Sequence, residues 1–196
     1  MNIRLENPKD YSAVEKLTFA AFETMTLPGR THTDEHYLAH ILRGAPAFIP
    51  ELDYVLEEGG RILANIMYSK SKVVRPNGDE LETITFGPVS VAPEVHGRGL
   101  GTKIIGCSLD RARELGFGAV IIVGHPYYYP RFGFKAASEF NLVMSNGSSF
   151  DAFMALELRE GFLGFKGGEW YEDSLFEIDQ SAFNEWHKGF LMEAKA

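Results

Sequence analysis

The chain has little cysteine, no long apolar run and no excess of positive charge. Its one cysteine, Cys107, can form neither an internal disulfide nor a cysteine-based metal site. Apolar runs such as GAVIIVG fall far short of the roughly 18 residues of a membrane-spanning helix, and the first ten residues lack the apolar core of a signal peptide. Because nucleic acid requires a basic face, the formal net charge of −8 argues against it as a partner. We therefore expect a cytoplasmic protein without membrane or nucleic-acid partners.

Neither cysteine nor histidine predicts a reactive or metal-binding centre. Cys107 falls within a helical pattern, where we interpret it as a small buried apolar residue. His32 and His36 are four residues apart in THTDEH, but that stretch is polar throughout, so a zinc site is not expected. We therefore predict no metal.

Apolar spacing and turn residues predict a mixed α/β fold. The strand NIRLE leads into a helix capped by Asn7 with Pro8 at its first position, and a second helix is capped by Thr33. The turn signals Gly59-Gly60 in EEGGR and Asn77-Gly78 in PNGDE indicate two hairpins, and hence three antiparallel strands. A helix ending near Gly116, the buried strand GAVIIVG, a short turn or helix in YYYPRFGF and one more strand complete the pattern.

The composition changes past about residue 140, so we predict a core over 1–140 and a C-terminal extension over 141–196 that packs on it. The extension contains the strand AFMALEL, an aromatic hairpin-like segment and a short helix in QSAFNEWHKGF. Its aromatic side chains are expected in the core or at an interface, which includes a possible homodimer surface, with the wall of a ligand site as the alternative. These side chains are Phe162, Phe165, Trp170, Tyr171 and Phe176.

Glycines at alternate positions stand directly before a long amphipathic run. A nucleotide P-loop is excluded because Thr102-Lys103 come in the reverse order, and a dinucleotide fingerprint is excluded because its third glycine is absent. What remains is a helix N-terminus whose N–H groups and dipole favour an anion such as a pyrophosphate. The three glycines are Gly97, Gly99 and Gly101.

Two stretches resemble the GNAT superfamily of N-acetyltransferases. VSVAPEVHGRGLGTKII is similar to its acetyl-CoA motif, Gln/Arg-x-x-Gly-x-Gly/Ala, with His96 at the Gln/Arg position. VIIVGHPYYYPRFGF resembles the next strand and the Tyr-x-x-x-Gly-Phe ending of a bacterial subgroup, with Tyr129 on the family tyrosine and Gly124-His125-Pro126 near the place of the usual asparagine. The resemblance covers about residues 2–140 and implies a mostly antiparallel central sheet, flanked by helices, whose splayed strands hold CoA.

The resemblance also implies which residues bind acetyl-CoA, the expected cosubstrate. Main-chain groups of Val89, Ser90 and Val91 would hold the pantetheine arm. The glycine turn would bind the pyrophosphate; it comprises His96, Gly97, Arg98, Gly99, Leu100, Gly101 and Thr102.

Catalytic roles follow from the same resemblance and from acyl-transfer chemistry. A backbone N–H of Val91 or a neighbour would stabilise the oxyanion, and Tyr129 would protonate the CoA thiolate, with Tyr128 as the alternative acid. Glu82 and His125 are candidate bases for the amine, beside an ordered water. Tyr127 and Tyr128 are otherwise interpreted as packing under the cofactor, which is also the alternative role for Tyr129.

The predicted function is an acetyl-CoA-dependent N-acetyltransferase that moves an acetyl group to a primary amine of a small molecule or protein by direct attack. A catalytically silent CoA-binding or acyl-CoA-binding module is the alternative, and a scaffold protein a third reading. The resemblance places acceptor recognition in ETMTLPGRTHTDEHY and the C-terminal part, where no pattern assigns the acceptor.

Overall fold

The computed structural model of the chain describes residues 1–23, 33–164 and 166–193. These residues form α-helices and a mixed, mostly antiparallel sheet, which confirms the predicted fold class. The helices are α1 (Tyr11–Phe22), α2 (Glu35–Leu42), α3 (Leu100–Glu114) and α4 (Gln180–Glu193). The strands are β1 (Asn2–Leu5), β2 (Tyr54–Glu58), β3 (Arg61–Val74), β4 (Glu80–Val91), β5 (Ala119–Val123), β6 (Lys135–Ala136), β7 (Leu142–Met144), β8 (Phe153–Glu157) and β9 (Gly168–Tyr171).

The chain divides into two compact units. The first comprises the described residues of Met1–Met67, Gly87–Ile105 and Ser174–Ala196, and the second those of Tyr68–Phe86 and Gly106–Asp173. Strands β3 and β4 and helix α3 are each divided between the two units. The predicted boundary at residue 140 is a different division of the chain, because 141–173 belong to the second unit and the following residues to the first.

The first unit contains an antiparallel ladder of β1, β2 and β3 with helices α1, α2 and α4. Gly59 and Gly60, at φ of 59° and 79°, form the predicted β2–β3 hairpin turn, since side chains rarely adopt these angles. Helix α1 begins at Tyr11 and not at Pro8, because Asn7 closes a separate turn in which its carbonyl accepts the N–H of Asp10. The prediction that Thr33 caps α2 was wrong, because Asp34 is the N-cap residue and Thr33 precedes it, with its Oγ1 accepting the N–H of Glu35 at 3.4 Å.

The second unit buries an apolar core between β5, β8 and the C-terminal strands. Strand β5 pairs in parallel with β4 at Ile84↔Val120 and antiparallel with β8, onto which β6 adds. The aromatic segment is not a hairpin: β9 pairs antiparallel with β3 and in parallel with β7. Trp170 on β9 is buried against Phe153, as its predicted core role requires, whereas Phe165 lies outside the described residues.

The interpretation of Cys107 as a buried residue was wrong. Cys107 is exposed, because the buried face of α3 is formed by its neighbours Ile104, Ile105 and Ser108. His36 is fully buried although its neighbours are polar, and its Nε2 lies 2.9 Å from Nδ1 of His187 on α4. His32, its predicted neighbour, lies outside the described residues. In the described ranges, no cluster of three potential metal ligands occurs, and no helix is long and apolar enough to span a membrane.

A buried charge cluster joins β1, α1 and α2 in the first unit. Arg43 donates to both carboxylate oxygens of Glu6 and to Glu15, each at 2.8 Å. Asp53 is buried beside Glu6, and desolvation together with the hydrogen bond to Glu6 raises the pKa of Asp53 to about 9. Asp53 therefore holds a proton at neutral pH and donates it to Glu6.

We expect Asp53→Asn to remove a pH dependence of stability. A carboxyl whose folded-state pKa is raised stabilises the native state fully below its unfolded pKa of about 4, and this contribution is lost as pH rises towards about 9. The amide needs no proton and still donates to Glu6. Between pH 5 and pH 9, the free energy of unfolding of the variant should therefore increase relative to that of the parent by up to about 1.4 kcal/mol per pH unit. Its melting temperature should rise relative to the parent accordingly.

Thermal melts across this pH range measure the effect. Asp151→Asn, which removes an exposed carboxylate, is the control and should leave the slope unchanged. Equal slopes for the parent and Asp53→Asn would contradict the assignment.

Candidate active site

The connection between β4 and α3 is a turn that only glycine fits easily. Gly97 and Gly99 have φ of 79° and 76°, in the left-handed region where L side chains are strained. An added Cβ at either residue would meet no atom within 4 Å. The space beside the turn is therefore open, and backbone conformation rather than crowding requires glycine here.

Helix α3 presents backbone donors at this turn. Its first helical hydrogen bond runs from Lys103 N–H to the carbonyl of Gly99, so the N–H groups of Leu100 and Gly101 precede the helical ladder. The Leu100 side chain is buried, which fixes the start of the helix. These donors and the positive end of the helix dipole form a site suited to a phosphate group.

Two charged or titratable side chains of the turn contact protein groups. The ring Nε2–H of His96 donates to the carbonyl of Val91 at 2.9 Å, since a carbonyl can only accept. Arg98 forms a partly exposed ion pair with Glu58 at 3.6 Å. The structure thus places His96 on the backbone of β4 and Arg98 on the β2–β3 hairpin, so the main chain of the turn supplies the donors for an anion.

The end of β4 is fixed to α1 by a chain of hydroxyl groups that sequence analysis missed. Ser90 Oγ donates to Thr18 Oγ1 at 3.1 Å, and Thr18 Oγ1 donates to Asn65 Oδ1 at 3.4 Å. All three side chains are buried, while Val89 and Val91 on either side of Ser90 are half-buried. The only sequence signal was the position of Thr18 on the apolar face of α1 beside Val14 and Leu17.

Tyr129 lies in the second unit at the start of a short 3₁₀ turn after β5. Its ring packs against Phe86 and Phe134, with centroids 5.7 Å away in each case, and the side chain is only 8% exposed. Burial raises the pKa of Tyr129 to about 12. Within the described ranges, no group hydrogen-bonds to its hydroxyl. Tyr129 therefore carries a proton that it does not share with another side chain.

The neighbouring tyrosines differ from Tyr129 and from each other. The interpretation of Tyr127 as packing under the cofactor stays a prediction, and its side chain is 85% exposed. Periodicity could not show this, because the segment leaves the sheet and turns here. Tyr128 is half-buried and stacks under the guanidinium of Arg131, 4.3 Å from its ring centroid.

The two candidate bases are exposed residues of the second unit. The carboxylate of Glu82 lies 3.5 Å from Lys70, and its side chain is 63% exposed. It stands two residues before the Ile84↔Val120 pairing, on the part of β4 away from Val91. His125 is exposed, and its carbonyl accepts the N–H of Tyr128 at 2.9 Å.

Comparisons with known proteins identify the family of this chain. The family model described as an acetyltransferase (GNAT) domain matches residues 2–137. The chain belongs to the GNAT acetyltransferase family. The predicted family and enzyme class are therefore confirmed.

Relatives of this GNAT chain support the same conclusion. A protein of Escherichia coli K12 named uncharacterized N-acetyltransferase YhbS is 28% identical over 142 residues, or 72% of this chain and 78% of that protein. The crystal structure of YhbS from Escherichia coli in complex with CoA matches with a TM-score of 0.77 at 26% identity, covering 90% of this chain and 91% of that one. A GNAT acetyltransferase from Brucella melitensis in complex with acetyl-CoA gives a TM-score of 0.70 at 29% identity, with 89% and 97% covered.

We expect Tyr129→Phe to leave the folded state of this GNAT protein intact. The lost hydroxyl has no hydrogen-bond partner among the described residues, so stability should stay within about 0.5 kcal/mol of the parent. Tyr68→Phe is the matched control, because the buried hydroxyl of Tyr68 shares a 2.9 Å hydrogen bond with Ser108. That variant should lose about 1 kcal/mol or more in urea unfolding. Equal losses in the two variants would show that Tyr129 has a partner after all.

Proposed function

We propose that this GNAT protein transfers the acetyl group of acetyl-CoA to a primary amine by direct attack. The observation that carries the proposal is the glycine turn, where left-handed Gly97 and Gly99 precede a helix in which the N–H groups of Leu100 and Gly101 come before the helical hydrogen-bond ladder. The solved relatives named above as complexes of CoA and acetyl-CoA support the choice of anion. In this proposal, main-chain donors from Gly97 to Thr102 bind the pyrophosphate, and the backbone of Val89, Ser90 and Val91 binds the pantetheine arm.

The reaction requires three events at the thioester. The neutral amine forms a C–N bond with the acetyl carbon, and the resulting oxyanion accepts a hydrogen bond from a backbone donor at Val91 or a neighbour. The C–S bond then breaks, and the sulfur leaves as a thiolate that takes the Tyr129 hydroxyl proton. The amine nitrogen releases a proton to solvent, and the phenolate takes up a proton from solvent in return. Atoms and charge thus balance without a metal or redox partner.

The raised pKa of Tyr129 bears on this role in two ways. A pKa of about 12 means that the phenol is fully protonated at neutral pH, as a proton donor must be. A thiol ordinarily has a pKa of about 8.5, so proton transfer from such a phenol to a fully hydrated thiolate would be uphill. Apolar surroundings also raise the basicity of a thiolate, which reduces this difference. We therefore assign the transfer to the collapse of the intermediate, when negative charge on sulfur is developing.

Two side chains are candidates for the general base that removes the amine proton. Glu82 is held by Lys70, while His125 is exposed and is the nearer to Tyr129 along the chain. We keep both residues, with an ordered water, as candidates for removing the amine proton.

The segment ETMTLPGRTHTDEHY, which the resemblance assigns to acceptor recognition, falls largely outside the described residues. A small-molecule or protein amine therefore remains the acceptor class, and a homodimer remains a prediction.

The first test is binding of CoA through the glycine turn. Acetyl-CoA and CoA, but not NAD, should raise the melting temperature; a ligand at 100 times its dissociation constant adds about 2.7 kcal/mol. We expect Gly99→Ala to weaken CoA binding tenfold or more, because the Cβ strains the turn that aims the donors. Gly78→Ala is the matched control: Gly78 has a φ of 86° and an equally open Cβ position, but lies in the β3–β4 hairpin.

Gly78→Ala should lose similar stability and bind CoA normally. Pantetheine, which lacks the pyrophosphate, should bind Gly99→Ala and the parent alike. Equal CoA affinity in the two alanine variants would remove the glycine turn from the proposed site.

The second test is turnover by Tyr129→Phe. Thiol release from acetyl-CoA is measured with a panel of primary amines that includes spermidine, tyramine, kanamycin and a lysine peptide. We expect kcat to fall about 10² to 10⁴-fold, the range for loss of a general acid, with little change in the KM for acetyl-CoA. Tyr128→Phe should retain most of the activity. A larger loss in Tyr128→Phe would transfer the role to Tyr128, and normal CoA binding without turnover by the parent on any amine would favour the silent CoA-binding module.

A further inference from the structure

Gly124, the residue that follows β5, lies directly against the ring of Tyr129. A Cβ built at Gly124 would lie 2.3 Å from Cε2, 2.8 Å from Cδ2 and 3.2 Å from Cζ of that ring. Carbon atoms in van der Waals contact are at least about 3.5 Å apart. The tyrosine ring thus occupies the space that any other side chain at position 124 would need.

Backbone conformation does not explain this glycine. Its φ lies outside the left-handed region, unlike those of Gly97 and Gly99, so an L residue could adopt the same backbone angles. Among the described residues, the three atoms nearest to an added Cβ all belong to the Tyr129 ring, so the approach of this ring is the reason for glycine.

The surroundings leave the ring as the part that must move. The N–H of Gly124 donates to the carbonyl of Ala152 at 2.8 Å, which continues the β5–β8 ladder by one bond and holds the backbone. On the tyrosine side, Phe86 and Phe134 pack on the ring. A Cβ at position 124 would therefore displace the Tyr129 hydroxyl rather than the strand.

We infer that Gly124 is a positioning residue for acetyl transfer, which sets where the Tyr129 hydroxyl lies when the thiolate is formed. The inference rests on the proposed function, in which Tyr129 is the proton donor. Proton transfer requires the donor oxygen within hydrogen-bond reach of its target, so a displacement of about 1 Å lowers the rate sharply. Gly124 acts through Tyr129 and has no side chain of its own to contribute.

The chain supplies a matched control at the other end of β5. Gly118 immediately precedes the strand, and a Cβ there would lie 2.2 Å from Cε2 of Phe162. Its φ is also outside the left-handed region. Gly118→Ala therefore produces the same kind of clash, between a methyl group and an aromatic ring, at a ring to which no catalytic role is assigned.

A double-mutant cycle between positions 124 and 129 tests the inference. Gly124→Ala should lower kcat about 10 to 100-fold in the parent and less than about threefold in the Tyr129→Phe background, where the ring clash persists but the hydroxyl is absent. Thiol release is measured with the most active amine of the panel, and the KM for acetyl-CoA should be unchanged in both backgrounds. Gly118→Ala should lower the melting temperature comparably and leave kcat within about threefold of the parent.

Two results would overturn the inference: an equal loss of kcat in both backgrounds, or a Gly124→Ala variant with normal kcat. If Gly124→Ala does not fold, Phe134→Leu replaces it, since it removes an aromatic ring that packs on the ring of Tyr129 and should show the same coupling to the hydroxyl. These results are distinct from a failure of the proposed function. In that case Tyr129→Phe alone would turn over normally, or the parent would show no transfer, and the role of Gly124 would fall with it.

Discussion

Glycine residues shape both parts of the site proposed for this protein, the turn that binds the anion and the position of the proton donor Tyr129. At Gly97 and Gly99 the chain adopts angles that L residues resist, and this places the first N–H groups of α3 at an open surface. At Gly124 the angles are ordinary, and the missing Cβ makes room for the ring of Tyr129. Glycine is thus used for two different physical reasons, and only the first can be recognised from a motif.

The predictable features were those set by residues close in the sequence. Two hairpins, the end of α3 near Gly116 and the short turn at Tyr129–Phe132 all follow from glycine, proline and local spacing. The start of α1 was predicted wrongly for a local reason as well: a separate turn, closed by the hydrogen bond from the Asp10 N–H to the Asn7 carbonyl, comes first, so the helix begins at Tyr11. Local signals therefore give the elements but not always their bounds.

Features set by distant residues could not be predicted. Strand β9 joins the sheet because Lys72, Val73 and Val74 of β3 offer it an edge, and Arg75 donates to the carbonyl of Gly167, 92 residues away. His36 is buried because α4 supplies His187, Trp186 and Phe190 around it, 150 or more residues later. In the site, the same limit applies to Ser90, whose hydroxyl partner Thr18 lies on α1.

The histidine that departs from the GNAT motif acquires a different physical role in this chain. Because the carbonyl of Val91 only accepts, the bond from His96 fixes the imidazole tautomer with its proton on Nε2. The ring thereby ties the glycine turn to the last residue of β4, while Ser90 is tied to α1 through Thr18. A peptide held at its carbonyl cannot rotate freely, so the direction of the neighbouring N–H groups is restricted too. The departure therefore adds a constraint on the strand from which the oxyanion donor is proposed to come.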